Sequence, residues 1–209
     1  MRGFTYLAAV TALTGLLAGS AAVASASAAT SQREGRPTAA VSLTGGATTV
    51  TTAPGVAEAL LGNGIVPLAS WPASQSVQSV SGGPAVRFTF PVTGGHVTLN
   101  PLGGQIGHSG GILFLNARTG KEIEVSQFVI DLTHADLTGI VNGNPSARVA
   151  LFNLDLAHAT LAAGHHTVTA TWIVLTLTPG AASALDAALG TKLFFAGLEL
   201  GTASTYLYL

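Results

Sequence analysis

The run Ile112-Leu113-Phe114-Leu115-Asn116-Ala117-Arg118-Thr119-Gly120-Lys121-Glu122-Ile123-Glu124-Val125-Ser126 decides the fold class. Two β-patterned segments flank a Thr119-Gly120 link, and in the second Ile123 and Val125 alternate with the carboxylates of Glu122 and Glu124. Successive side chains of a strand point to opposite faces, so this alternation buries one face and wets the other. A glycine in so short a link lets the backbone reverse. The stretch predicts an antiparallel hairpin.

The same pattern continues on both sides. Val86-Arg87-Phe88-Thr89-Phe90 sets Val86, Phe88 and Phe90 on one face. Asn142-Gly143 joins Leu137–Val141 to Ala147–Phe152, and Ala163-Gly164 precedes the run Thr167–Thr178. That last run carries Val168, Ala170 and Trp172 on one face, then Ile173, Leu175 and Leu177 on the other, which predicts a central strand covered on both sides or one holding a bulge. The large aromatic residues are expected in the core, Trp71 excepted.

Two segments depart from the β pattern. Ala53-Pro54-Gly55 and Thr178-Pro179-Gly180 each open an Ala/Leu-rich run that ends in a glycine, Gly62 and Gly190. Proline at the start and glycine past the end are the punctuation of short helices. Apolar stretches follow both, Ile65–Leu68 and Leu193–Phe195, so a strand-helix-strand phrase is expected near each end. The whole predicts a mainly β chain: an antiparallel, two-layer β-sandwich-like domain with two short α-helices.

Composition narrows the function classes. Of 209 residues 48% are hydrophobic and 8% charged, with a formal net charge of −1. Ordinary soluble chains carry about 25% charged residues, so a nucleic-acid surface or a charged disordered tail is excluded. With no cysteine, neither a disulfide nor a thiol nucleophile or ligand is available. Arg2, the apolar run Phe4–Val23 and the small residues through Ala28 predict a signal peptide over 1–28 and a secreted, extracellular product with no stable membrane span after cleavage. A polar arm over 29–40 and a single β-rich domain over 41–209 complete the plan.

The chemistry-bearing candidates cluster around Gly107-His108-Ser109-Gly110-Gly111. This matches G-x-S-x-G, the nucleophile elbow, which requires a strand, a sharp turn and a helix. Here another β-patterned run follows, so a serine hydrolase using Ser109, with Asp131, Asp136 or Asp155 and then His158, His165 or His166, is the lesser alternative. A chymotrypsin-like order fails, because no aspartate precedes Asp131. None of the six histidines has metal-ligand spacing, and no metal site is expected. His96 and His108, brought close on paired short strands, with Ser109 in the glycine-rich bend and Trp71 before Pro72 at a pocket mouth, are the expected ligand-binding residues. No catalytic residue is expected.

Phe90-Pro91-Val92-Thr93-Gly94-Gly95-His96-Val97, Gly104-Gln105-Ile106-Gly107-His108-Ser109-Gly110-Gly111-Ile112 and Arg148-Val149-Ala150-Leu151-Phe152-Asn153-Leu154-Asp155-Leu156 together resemble secreted actinobacterial proteins of the HtaA-like kind. The resemblance covers roughly residues 88–161 and the late helix phrase. It implies a β-rich extracellular domain that binds haem, with the Gly-His after a strand matched by Gly107-His108. The family's haem capture is associated with a tyrosine early in the domain, whereas after residue 28 this chain has no tyrosine before Tyr206. The axial donor would then fall to His108, His96 or a late tyrosine. The other reading is a structural or interaction protein of the cell envelope or spore surface, with an envelope component as partner.

Overall fold

The computed structural model describes residues 39–80 and 82–209; the expected leader over 1–28 lies outside the described residues, as does most of the arm over 29–40. In chain order the elements are β1 (Val41–Ser42), β2 (Gly45–Thr52), α1 (Val56–Gly62), β3 (Ile65–Ser70), β4 (Ser74–Val80), β5 (Gly83–Leu99), β6 (Leu102–His108), β7 (Gly111–Asn116), β8 (Lys121–Asp131), β9 (Asp136–Val141), β10 (Asn144–Asp155), β11 (Thr160–Ala163), β12 (Thr167–Leu177), α2 (Pro179–Leu189) and β13 (Glu199–Tyr208). The hairpins expected from glycine-containing links are present as β7–β8, β9–β10 and β11–β12.

The expected two-layer sandwich is replaced by a closed barrel. Eight strands follow one another around it in the order β5, β2, β13, β12, β10, β9, β8 and β6, all antiparallel to their neighbours. Closure depends on β6, whose residues pair with Val92–Leu99 of β5 on one side and Val129–Asp131 of β8 on the other. In a sandwich those edges would stay in separate sheets; here one short strand satisfies both, and the ring has no open edge. The remaining strands extend it: β7 and then β3 from β8, β4 and β1 from β5, and β11 from β12.

Inward positions follow the period of two. Phe88, Phe90, Phe128, Ile130, Leu175 and Leu207 are buried in one cluster, with Phe90 meeting Phe128 edge-on at 5.0 Å. An eight-stranded ring can be filled by its own side chains or hold one small ligand; here side chains fill it, and two apolar pockets among them measure about 50 and 30 Å³. Helix α2 supplies the core's Leu185 and Leu189. Thr178 caps it by accepting from the Ala181 N–H at 3.1 Å, and buried Asn116 donates to the Leu189 carbonyl at 2.8 Å.

Two aromatic residues expected in the core stand outside it. Trp172 occupies a bulge between Ala170 and Ile173, where its φ of 63° turns the indole outward to 66% exposure. Phe195 follows α2 in a stretch that forms no strand and is also exposed, while Phe194 is buried. The strand-helix-strand phrase therefore holds after α1, where β3 follows, and not directly after α2.

The link between β6 and β7 presses on the link between β3 and β4. Gly110 has a φ of +81°, and a Cβ there would lie 2.5 Å from the Ala73 nitrogen and 2.9 Å from the Ser70 oxygen. Both the dihedral and the space exclude a side chain. Gly110→Ala is expected to lower the unfolding free energy by about 2 kcal/mol or more in urea titrations; an unchanged midpoint would contradict this close approach.

Candidate binding cleft

The site forms where β8 changes partner. Its first half pairs with β7 through Ser126, its last three residues pair with β6, and the register against β9 slips between Ser126 and Val129. Gln127 takes up the slip with a φ of 50° and donates its N–H to the Gly110 carbonyl at 3.0 Å. A non-glycine residue held in this region is strained, and the surrounding bonds must hold it there. Arg148 of β10 does so: its Nη1 donates to the Gln127 carbonyl at 3.0 Å and to Thr138 Oγ1 at 3.1 Å.

Around this switch lies an open cleft of about 520 Å³, lined by Trp71, Pro72, Ser109, Gly110, Glu124, Ser126, Gln127 and Arg148. Trp71 stands at its side with 91% of its surface exposed. The side chains of Ser109, Ser126, Gln127 and Glu124 make no hydrogen bond among the described residues; only their backbones are engaged. The cleft thus offers one bare aromatic face, unengaged hydroxyl, amide and carboxylate groups, and one anchored guanidinium.

His108 forms part of the cleft's inner wall, yet its ring belongs to the barrel. It is 5% exposed, with Nε2 2.7 Å from Thr48 Oγ1 and Nδ1 3.3 Å from the Phe128 carbonyl. A carbonyl only accepts, so Nδ1 carries the proton and Nε2 accepts from the Thr48 hydroxyl. Thr48 Oγ1 in turn lies 2.9 Å from Thr205 Oγ1, which completes a directed chain from Thr205 through Thr48 to His108 and on to Phe128. Thr48 and Thr205 are both buried. Burial pushes the imidazole down to about 4, against weaker raising effects of the Phe128 and Ile106 backbone.

Three of the four expected ligand-binding residues, Trp71, His108 and Ser109, line this one cleft. His96 does not: it is exposed on β5 opposite Gln105, whereas Val92 of the same strand faces His108. Ser109 follows β6 and leads into β7, so the strand-to-helix elbow of a hydrolase is not the context it occupies. Its neighbouring imidazole has its basic nitrogen on Thr48. His165 and His166 are exposed in the β11–β12 link and pack edge-on at 4.5 Å. His134 and His158 pair with Asp131 and Asp155, each three residues earlier, in the twin phrases Asp-Leu-Thr-His and Asp-Leu-Ala-His that end β8 and β10. Among the described residues no group of three or more His, Asp or Glu is placed to hold a metal ion.

Sequence reasoning missed Thr48, Thr205, Glu124, Gln127 and Arg148. For the threonines a signal existed. Thr205 alternates with Ala203 and Leu207, all inward, so the period of two alone would have placed its hydroxyl in the barrel.

The depressed value of His108 makes stability depend on pH. The unfolded chain binds a proton near the ordinary value of 6.5, the folded chain only near 4, so stability is complete above about pH 6.5 and is lost as pH falls towards 4. The expected loss is about 3 kcal/mol across that window. Asp131 raises the exposed His134 and so works in the opposite sense. Urea titrations at pH 7 and pH 4.2 in a His134→Asn background remove that opposing effect; equal stabilities at the two pH values would contradict the neutral, bonded state of the buried ring.

No family model matches the sequence, and no curated protein is similar to it at the sequence level. Among solved structures, the C-terminal domain of HtaA from Corynebacterium glutamicum aligns with a TM-score of 0.52 at 15% identity, covering 80% of this chain and 98% of that one. A domain-swapped dimer of a histidine-to-alanine variant of the same domain aligns with a TM-score of 0.49 at 16% identity, covering 73% of this chain and 89% of that one. At such identity the likeness concerns the fold alone: the fold described above resembles that of the HtaA C-terminal domain.

Proposed function

We propose that the chain is an exported, non-catalytic binding module whose ligand seats in the cleft between Trp71 and Arg148. The carrying observation is the fully presented indole of Trp71 beside unengaged polar side chains on a braced backbone switch. An exposed tryptophan leaves a large apolar face in water, which a ligand's own apolar face covers favourably. The barrel beneath gives that site a rigid support. Export rests on the leader read from residues 1–28; among the described residues no helix is long and apolar enough to cross a membrane.

Haem is the ligand that the HtaA-like resemblance implies, and the fold likeness favours it as a second reading. Haem iron takes an axial histidine, tyrosine, methionine or thiolate. In the cleft the histidine is His108, whose two ring nitrogens are both hydrogen-bonded inside the barrel. Tyr206 and Tyr208 lie outside the cleft on β13, packed edge-on against each other at 5.1 Å, and His96 lies outside it on β5. The sequence has no cysteine, and its one methionine is Met1. The residues present therefore do not fit an axially ligated haem in this cleft.

A spectroscopic titration with haemin, run beside metal-free protoporphyrin, separates the two readings. The cleft reading expects no iron-specific Soret shift. A sharp Soret band seen with haemin alone and lost in His108→Gln or in Tyr206→Phe would contradict it and restore haem ligation.

A further inference from the structure

The chemistry of the cleft narrows its occupant. Resting on the reading that this cleft is the binding site, we infer that it takes a neutral saccharide, one pyranose face lying on the Trp71 indole and the ring hydroxyls bonding Ser109, Ser126, Glu124, Gln127 and Arg148. Three properties lead there.

First, the lining is divided between one aromatic plate and hydrogen-bonding groups. A wholly apolar ligand would desolvate those groups without replacing their water, which costs free energy for each group left unpaired. A sugar ring has the same divided character, with a C–H face and a rim of hydroxyls.

Second, the polar groups are mixed in kind. The carboxylate of Glu124 accepts, the guanidinium of Arg148 donates, and the hydroxyls and the Gln127 amide do both. A sugar hydroxyl is both donor and acceptor, so it can satisfy every member of this set, while a purely accepting ligand such as a carboxylate or phosphate would leave Glu124 opposed.

Third, the charges cancel. Glu124 and Arg148 are the cleft's acidic and basic side chains, and Arg148 already commits Nη1 to Gln127 and Thr138. The formal sum of zero offers an anion no net attraction at a solvent-open site, where charge interactions are weak in any case. The volume of about 520 Å³ lies within the range of small-molecule sites, roughly 300–1,000 Å³, and its open form suits a chain that enters and leaves along the groove.

Calorimetric titration of the protein with neutral tetrasaccharides of glucose, mannose, xylose and N-acetylglucosamine tests the assignment. At least one series is expected to bind, with Kd of roughly 10 µM to 1 mM. Trp71→Ala is expected to weaken that binding about tenfold or more, and Glu124→Gln, which leaves the indole in place, to weaken it as well. Both positions are solvent-accessible, so the urea midpoint should stay unchanged. Silence across the whole panel would overturn the saccharide assignment. If haemin or protoporphyrin then bound in a Trp71-dependent manner, the cleft would stand and the ligand class alone would fall. Saccharide binding indifferent to both substitutions would overturn the cleft itself.

Discussion

The structure turns on one buried imidazole. His108 ends β6, the strand that closes the barrel, and its ring reaches Thr48 on β2 and, through it, Thr205 on β13, while its other nitrogen meets the backbone of β8. Four strands of the ring are thereby tied by one chain of hydrogen bonds in which every donor proton meets an acceptor. In a low-dielectric interior such a network strengthens the fold only if it is complete. Removing a single member leaves a buried polar group without a partner.

This arrangement also decides what the cleft can do. A histidine committed to the barrel cannot serve as base for Ser109 or as donor to iron without giving up its bond to Thr48. The side chains that remain available are those on the other side of the β6–β7 link, where Ser109, Gln127 and Trp71 meet solvent. The imidazole of His108 stays inside the barrel, while the cleft presents an aromatic face and polar side chains to solvent. That division is what the proposed binding role rests on; the likeness to the HtaA C-terminal domain is one of fold.

What the sequence disclosed was mostly local. The β7–β8 and β9–β10 hairpins and both helices were legible because a glycine, a proline or an alternation within a few residues determines them. Closure was not, since β5 runs for 17 residues and takes β4 and β6 along one side and β2 and β1 along the other. No local pattern specifies such a change of neighbour. The sandwich and the barrel share the same inward and outward alternation and differ only in whether β6 joins β5 to β8. The site divides the same way. Trp71 was legible because an exposed aromatic residue before a proline in an irregular run has little to pack on, whereas Thr48 and His108 are 60 residues apart and their bond is purely tertiary. Gln127 was hidden because its strained backbone is held by Gly110 of the β6–β7 link and Arg148 of β10, both distant in sequence.

The claim that His108 is locked, neutral and protonated on Nδ1 is open to direct observation. Long-range ¹H–¹⁵N correlation spectra of histidine-labelled protein, followed from pH 8 to pH 4.5, report which ring nitrogen holds the proton and whether it titrates. One ring should show a protonated Nδ1 and an acceptor Nε2 that stay unchanged down to about pH 5. A His108 ring that titrates near 6.5, or exchanges between tautomers, would show that the imidazole is not committed to the barrel and would reopen it as a ligand.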